Sequence, residues 1–458
     1  MNQTQIKPTG DKEPQPTPDR SGHPADCDAS TATVTDSRPL KIALVNHSDT
    51  LGGASVVTFR LMNALREAGA DARMVVLAKT SDSPHVYEVS SHFTRRLKFI
   101  GECVSSAIAN GFNRSNLFTI SPASSGCDIS GHHWIEKADI IVLNWVNQGM
   151  LSLNGLQKLL SLGKPVVWTM HDMWPLTGVC HHSHDCDGYR KRCGNCPLLN
   201  NGRSHNDASA KVLQRKLKIY QRHPITFVAV SNWLAGKCRE STLLRDQDVR
   251  VIPNAFPVKA FATEPRQTLQ TFDIDYSKDI ILMGAARLDD PIKGLDYAIE
   301  ALNIIVDNNP QIADRSLAVL FGAVRDPEVL KRLRFPHRHI GRVNDAEMIA
   351  NLYASAKVVI STSLCETLPG TLIEGQAAGC TPVSFGNGGQ EDIIDHKKTG
   401  YIARFKDAAD VAKGILWALE SPIDRDTLHR EVERKFGSDS VAKAYIDLFN
   451  ELHKKDLQ

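Results

Sequence analysis

Two successive series of apolar runs alternate along the chain with stretches of helical periodicity. The first series begins with an apolar run at residues 40–46, followed by the loop Gly52-Gly53, a helical stretch ending near Ala68, and a second apolar run at 72–77. Strand, glycine loop, helix and strand in this order are typical of a parallel βαβ unit. Further strands of this series are predicted at 138–143, 165–170, 226–230 and 249–252.

The second series starts after a proline-interrupted segment that contains Pro253, Pro257 and Pro265 and reads as an interdomain connection. Its predicted strands are followed by a final helix whose apolar residues recur at steps of three and four. The strands are at 280–284, 317–321, 357–361 and 381–385, and the stripe of the final helix is Val441, Tyr445, Leu448, Phe449 and Leu452. We therefore predict an α/β fold of two parallel-sheet domains with a ligand cleft between their strand ends.

The domain organisation is predicted from length and composition. A chain of 458 residues is too long for one compact core. Residues 1–38 contain five prolines and few large apolar residues, so they are expected to form a disordered tail, with a docking tail as the alternative. The predicted domains are 39–256, with a cysteine-rich insertion at 180–196, and 257–430. Residues 431–458 are predicted to form a helix that packs back across the domains.

Composition limits the class of protein. Hydrophobic content of 42% and charged content of 23% are ordinary for a soluble globular protein. A formal net charge of +2 gives no indication of nucleic-acid binding, which usually requires a concentrated basic face. The chain shows neither a membrane-spanning apolar run nor a signal peptide, so we expect a cytoplasmic protein with reduced thiols.

Two glutamates with seven residues between them carry the most information about function. Glu366 lies in the loop after the apolar run at 357–361, and Glu374 lies in the next helical stretch. Both positions face the crevice at the carboxyl edge of a parallel sheet, where open α/β sheets bind nucleotides. The alternative is that both are surface glutamates of a helix. The pair predicts an enzyme that handles a nucleotide-linked ligand.

Several further motifs occur in matching order along residues 40 to 455. They are the Gly52-Gly53 loop, Val251-Ile252-Pro253-Asn254, the segment 284–294 with Arg287 and Lys293, and Gly388-Gly389-Gln390-Glu391. With the glutamate pair, the chain resembles the retaining glycosyltransferases of family four, which have the GT-B architecture of two facing Rossmann-like domains. The segment 168–174, which runs into a cysteine cluster, is similar to bacterial exopolysaccharide and colanic-acid-type transferases.

The resemblance implies roles for four catalytic candidates, Glu366, His171, Arg287 and Lys293. Glu366 would hold hydroxyls of the donor sugar, and His171 would touch the same sugar. Arg287 can donate hydrogen bonds to two phosphate oxygens at once, and Lys293 adds a point charge. The leaving diphosphate would therefore need no metal ion. Asp172 could orient the ring of His171, or the His-Asp pair could cap a helix.

Donor binding is expected to use both domains. The resemblance implies that Glu374 holds the ribose hydroxyls, while backbone amides approach the phosphates together with Arg287 and Lys293. The backbone positions are Gly52, Gly53, Gly370, Thr371 and Leu372. Pro369 departs from the commoner Phe-Gly pattern of the family and removes one amide donor.

The resemblance therefore implies a retaining hexosyltransferase that moves a sugar from a nucleotide diphosphate sugar to a polysaccharide acceptor, either a free or a lipid-linked glycan. Its place would be the cytoplasm or the inner face of the membrane. Two alternatives are a GT-B nucleotide-sugar epimerase, which needs no acceptor, and a non-catalytic protein that binds nucleotide sugars. A basic, amphipathic stretch from Arg95 to about Ile108 could contact an anionic membrane, or could be a solvated helix face.

Four clustered cysteines suggest a structural metal site. Cys180, Cys186, Cys193 and Cys196 include one Cys-x2-Cys pair, and four thiolates suit a tetrahedral zinc ion. The spacings are irregular, so disulfides, free thiols or an iron–sulfur cluster are alternatives. Neighbouring histidines could replace a thiol; these are His181, His182 and His184.

Overall fold

The structure is a computed structural model that describes residues 38–113, 116–262, 272 and 274–456. Residues Pro39–Gln458 form one compact unit. The predicted tail at 1–38 lies outside the described residues apart from Arg38. Within the described ranges, none of the helices combines the length and apolarity needed to cross a bilayer.

The first half of the described chain contains nine strands. They are β1 (Lys41–Ser48), β2 (Asp71–Ala78), β3 (Val86–Glu88), β4 (Gly126–Cys127), β5 (Ile140–Leu143), β6 (Gly149–Leu151), β7 (Val166–Met170), β8 (Thr226–Ala229) and β9 (Asp248–Val251). Seven of them form one sheet in the order β3-β2-β1-β5-β7-β8-β9, and every neighbouring pair is parallel. Strands β4 and β6 form a separate parallel pair.

Helices cover both faces of this sheet because its central strands are apolar on both sides. In β1, Ile42, Ala43, Leu44 and Val45 are fully buried. The helices are α1 (Gly53–Glu67), α2 (His92–Ala109), α3 (His133–Lys137), α4 (Leu153–Leu160), α5 (Ala208–Arg222) and α6 (Asn232–Glu240). Gly52 precedes α1 with φ 91°, a conformation that favours glycine and turns the chain from β1 into the helix.

The second half contains a six-stranded parallel sheet. Its strands are β10 (Asp279–Arg287), β11 (Ser316–Ala323), β12 (His337–His339), β13 (Val358–Ser361), β14 (Thr381–Phe385) and β15 (Tyr401–Ala403). Their order is β12-β11-β10-β13-β14-β15. The helices are α7 (Leu295–Asn308), α8 (Pro310–Arg315), α9 (Ala346–Ser355), α10 (Gly370–Ala377), α11 (Gln390–Ile393), α12 (Ala408–Glu420), α13 (Arg425–Phe436) and α14 (Ser438–Asp456). The predicted α/β class with two parallel-sheet domains is confirmed.

The last helix, α14, returns the chain to the first sheet. Its buried residues Tyr445 and Phe449 belong to the same apolar cluster as Ile42 and Leu44 of β1. The hydroxyls of Tyr445 and Thr169 lie 2.9 Å apart. The predicted segment 431–458 begins inside α13, and the predicted boundary at 256 and 257 lies between β9 and β10.

Candidate active site

A cavity of about 370 Å³ lies between loops at the carboxyl edges of the two sheets. Both predicted glutamates, Glu366 and Glu374, line it. It is also lined by Gly53, Ala54, Val56, Val57, Arg60, His171, Asn254, Phe256, Lys293, Thr367, Leu368, Pro369, Gly370 and Thr371. The structure thus brings together seven of the ten residues that sequence reasoning assigned to donor binding or catalysis.

A second cavity of about 400 Å³ lies at the opposite edge of the first sheet. It is lined by residues before or at the start of β7, β8 and β9, among them Lys164, Pro224 and Asp246. Parallel α/β sheets bind ligands at their carboxyl edge because the loops there converge and helix N-termini face the crevice. The cavity with the two glutamates therefore remains the candidate active site.

Lys293 and Glu366 form an ion pair inside the cavity, with 2.5 Å between Nζ and Oε1. Lys293 ends a short 3-10 turn and is followed by Gly294, which has φ 62°. A Cβ at Gly294 would lie 2.1 Å from the carbonyl oxygen of Thr362, so only glycine permits this approach. The close approach of these two loops sets the ammonium against the carboxylate.

The loop that carries Glu366 is fixed from its other side by Gly388 and Gly389. The Gly389 amide donates to the Glu366 carbonyl at 3.0 Å. A Cβ at Gly388 would lie 2.3 Å from the same oxygen. The motif at 388–391 thus acts on the backbone of the glutamate loop, which holds the side chain of Glu366 at the cavity.

Glu374 lies on α10 and faces Arg60 on α1, with 3.3 Å between Oε1 and Nη2. Burial raises the pKa of Glu374, and the guanidinium of Arg60 opposes this rise. Arg60 also lies over the ring of Phe256, 5.1 Å from its centre. Sequence reasoning missed Arg60, although Gly53, Val57 and Arg60 recur at helical steps on one face of α1.

Three predicted donor-site residues do not line this cavity: Gly52, Arg287 and Leu372. Arg287 instead donates from Nη2 to Asp290 at 2.6 Å and lies 3.6 Å from Asp289. The side chain of Leu372 is fully buried, and its amide already donates to the Pro369 carbonyl at 3.2 Å. Gly370 and Thr371, at the start of α10, remain the backbone positions on this side.

His171 follows β7 and projects into the cavity from the first domain. Its Nε2 lies 3.0 Å from Oδ1 of Asn144. Burial lowers the pKa of His171 to about 4, although Asp172 favours the charged form. The imidazole is therefore neutral near pH 7, where it can donate or accept a hydrogen bond but carries no charge. Its carbonyl accepts a 2.9 Å bond from the Thr367 hydroxyl of the second domain.

Asp172 does not orient His171, contrary to one expectation from the sequence. Its carboxylate pairs with Nδ1 of His181 at 2.6 Å and accepts from the Trp145 indole at 2.8 Å and the Trp174 amide at 2.8 Å. Burial would raise the pKa of Asp172, but the attraction of His181 and these bonds outweigh it and hold the pKa at about 2. Asp172 therefore organises the loop after His171 as a buried anion.

The same loop brings His182 to the edge of the active site. Its Nδ1 lies 3.5 Å from the sulfur of Cys365, the residue before Glu366. Burial lowers the pKa of His182, while Asp172 and Glu366 favour its charged form. Sequence reasoning considered His182 only as a substitute metal ligand. Its contact with the glutamate loop depends on how the two domains face each other.

The four clustered cysteines line one small cavity beside this loop. They are Cys180, Cys186, Cys193 and Cys196, and all four are free thiols. Backbone amides donate to three of the sulfurs: Gly188 to Cys186 at 3.4 Å, Gly178 to Cys193, and Leu198 to Cys196. In the part of the chain that the structure describes, however, no three His, Cys, Asp or Glu side chains stand in a metal-binding arrangement.

A fully buried lysine lies beside the thiols. Lys216 of α5 donates to the carbonyls of Trp174 at 2.6 Å, Thr177 at 3.1 Å and Gly178 at 3.1 Å. Its Nζ also lies 3.3 Å from the centre of the Trp174 ring. Burial lowers the pKa of Lys216, and Cys180, Asp172 and Cys193 counter this effect. Lys216 thus ties the segment between His171 and the cysteines to α5.

Two family profiles match the chain, one in each half. Residues 51–259 match Glycosyltransferase Family 4, and residues 271–435 match Glycosyl transferases group 1. Among curated proteins, a putative colanic acid biosynthesis glycosyl transferase of Escherichia coli, WcaC, is 47% identical over 36 residues, which cover 8% of this chain and 9% of that protein. A D-inositol 3-phosphate glycosyltransferase of Streptomyces avermitilis is 24% identical over 183 residues, which cover 37% of this chain and 39% of the relative. Each match spans less than half of the relative's length.

Solved structures share the fold over most of the chain. HepE of Anabaena in complex with UDP has 16% identity and a TM-score of 0.58, and the match covers 90% of this chain and all of HepE. Sucrose-phosphate synthase of Thermosynechococcus elongatus has 17% identity and a TM-score of 0.59, with 91% of this chain covered and all of the synthase. The two profiles thus assign residues 51–259 and 271–435 to glycosyltransferase domains, and the solved structures share the fold that these domains form.

Proposed function

We propose that the protein transfers a sugar from a nucleotide diphosphate sugar to a polysaccharide acceptor, with retention of the anomeric configuration. The observation that carries this proposal is the shared cavity of Glu366, Glu374 and Lys293 between the carboxyl edges of two parallel sheets. Solved structures of HepE with UDP and with UDP-glucose have the same fold, which supports a nucleotide-linked donor.

The two carboxylates are suited to different parts of the donor. Glu374 would accept the ribose hydroxyl protons, and Arg60 would keep it ionised and in place. Glu366 would accept hydroxyl protons of the sugar. The ammonium of Lys293 would shift from Glu366 toward the diphosphate, with the amides at the start of α10 on the same side.

The transfer step breaks the bond between the anomeric carbon and the β-phosphate oxygen and forms a bond from that carbon to an acceptor hydroxyl oxygen. The acceptor proton passes to the departing diphosphate. Lys293 stabilises the negative charge as it develops, the kind of contact that lowers a barrier most. Arg287 contributes only if its guanidinium leaves Asp289 and Asp290, which hold it in the described conformation.

We propose a glycan, and more specifically a lipid-linked glycan, as the acceptor. The support is the likeness to the colanic acid transferase over 36 residues and the position of His182 beside Cys365. His182 lies beside the glutamate loop at the edge of the cavity, where an acceptor would approach the sugar.

A donor screen tests the proposal. Purified protein is incubated with UDP-, GDP- and ADP-linked sugars, and nucleotide release and product are measured with and without a soluble glycan. We expect one nucleotide sugar to bind and to be turned over faster when the acceptor is present, with the anomeric configuration of the product retained by NMR. Conversion of the donor sugar without an acceptor would instead establish an epimerase. Binding without any turnover would establish a non-catalytic sugar-nucleotide protein.

We also propose that the four cysteines bind one structural zinc ion. Support comes from their shared cavity and from the three amide donors on their sulfurs. The thiol side chains must rotate to reach tetrahedral geometry, because the described conformation does not form a metal site. The ion would hold the loop next to His171 and take no part in transfer.

Metal analysis of the purified protein tests the zinc proposal. We expect about one zinc per chain, lost in a Cys193→Ser, Cys196→Ser variant because two of four ligands are removed. Cys103→Ser is the matched control, since Cys103 is a free thiol on α2 away from the cluster. Zinc below about one tenth per chain in protein prepared without chelators would rule out the site.

A further inference from the structure

Helix α2 has an exposed apolar face. Its large apolar side chains follow one another at steps of four, three, four and four residues, which places them on one side of the helix. They are Phe93, Leu97, Ile100, Val104 and Ile108, between 46% and 70% exposed. We call these five residues the α2 stripe. Phe112 and Phe118, which follow the stripe, are also exposed. Seven of the eleven exposed large hydrophobic residues in the described ranges therefore lie between positions 93 and 118.

The opposite face of α2 is fastened to the first domain. Glu102 and Ser106 are buried there. The Glu102 carboxylate accepts from the amides of Ala123 at 2.7 Å, Ser124 at 3.0 Å and Ser125 at 3.2 Å. These bonds fix the rotation of the helix, so the α2 stripe points away from the protein. A contiguous row of exposed apolar side chains indicates an interaction site.

The charges of α2 indicate which kind of surface it meets. The helix carries Arg95, Arg96 and Lys98, and its one carboxylate, Glu102, is buried. Arg95 pairs with Glu88 at 2.6 Å. Arg96 and Lys98 flank the α2 stripe, where long basic side chains can extend toward anionic headgroups while their stems cover apolar surface. Apolar residues on one face with basic residues at its margins are typical of helices that lie in a membrane interface.

We propose that α2 is an interfacial helix that docks the protein on an anionic lipid surface, with the α2 stripe inserted at the boundary of headgroups and acyl chains. Docking of this kind needs no membrane span. It extends the proposed function, on which its biological meaning rests, by naming the surface at which the acceptor is met. Docking itself depends only on the described surface of α2.

The helix lies close to the proposed acceptor side of the active site. Glu102 accepts from the Ala123 amide at 2.7 Å, and two residues earlier the hydroxyl of Ser121 lies 3.1 Å from Nε2 of His181, which pairs with Asp172 beside His171. A glycan carried on a membrane lipid would therefore reach the cavity from the side where the protein touches the membrane.

Vesicle sedimentation tests the docking. We expect the wild-type chain to sediment with phosphatidylcholine vesicles that contain about one third phosphatidylglycerol, and only weakly with pure phosphatidylcholine. A Leu97→Glu, Ile100→Glu variant should bind the anionic vesicles at least about tenfold less. It loses two inserted apolar side chains and gains two negative charges, which the anionic headgroups repel. The matched control is Leu162→Glu, Phe405→Glu, since both residues are exposed hydrophobics away from α2 and from the cavity.

Each remaining outcome decides the proposal. Wild-type chain that stays in the supernatant with anionic vesicles overturns it, and concentration-dependent dimers abolished by Leu97→Glu, Ile100→Glu would then assign the α2 stripe to a second copy. Equal loss of vesicle binding in the control variant also overturns it. Donor hydrolysis without vesicles should be the same in all variants. Protein that binds vesicles but turns over no nucleotide sugar would refute the proposed function and leave the docking intact.

Discussion

A Glu366→Gln variant should transfer sugar at least about 100-fold more slowly than the wild-type chain. The amide has nearly the same shape but no charge, so it accepts sugar hydroxyl protons less strongly. It also releases Lys293, whose ammonium lies 2.5 Å from the carboxylate. Initial rates at saturating donor measure the loss. The nucleotide itself should bind within about threefold of wild-type affinity, because Glu374 and Arg60 are untouched.

Glu420→Gln is the matched control for this variant. Glu420 is exposed at the end of α12, outside the cavity. Its substitution also removes one carboxylate, so the transfer rate of this variant should equal that of the wild type. If Glu366→Gln keeps the full rate, the carboxylate does not contact the reacting sugar and the site assignment is wrong. The class of enzyme would survive such a result, because it rests on the fold and on both profile matches.

A Lys216→Met variant should lose about 3 kcal/mol of unfolding free energy and about 5 °C in apparent Tm. Methionine fills a similar volume, but it leaves three buried carbonyls without their donor. It also removes the cation from the Trp174 ring, which lies 3.3 Å from Nζ. Thermal unfolding followed by calorimetry in the presence of zinc measures the change.

Lys218→Met on the same helix is the control, because Lys218 is exposed two residues further along α5. Its Tm should stay within about 1 °C of wild type. An unchanged Tm for Lys216→Met would mean that the carbonyls of Trp174, Thr177 and Gly178 find other donors, and that the loop after His171 is not held by the ammonium. If the Lys216→Met variant keeps its Tm but no longer transfers sugar, Lys216 would instead be a residue that positions the active site.

Most of the fold could be predicted from the sequence because the central strands are long apolar runs. Each predicted run overlaps a strand, as 40–46 does with β1 and 381–385 with β14. The strands that were missed are the short ones at sheet edges or outside the main sheets. They are β3, β12 and β15, of three residues each, and the pair β4 and β6. Segments this short carry too few residues for a period of two to be recognised.

The sequence predicts those residues of the candidate site whose position depends only on which strand they follow. Glu366, Lys293 and His171 all follow strands of parallel sheets, and the carboxyl ends of such strands meet at one edge. The contacts of Arg60 and His182 could not be predicted, because they depend on how the two sheets face each other and on the path of the cysteine loop. Asp172 is adjacent to His171 in sequence, yet the return of this loop supplies His181 as its partner.

The hydrogen bond from Thr367 to the His171 carbonyl joins the two domains one residue away from Glu366. A hinge motion that widened the cleft would break this bond and free the loop that carries Glu366. The same motion would also separate Arg60 of α1 from Glu374 of α10, which lie 3.3 Å apart. The described positions of both carboxylates, Glu366 and Glu374, therefore depend on a closed cleft.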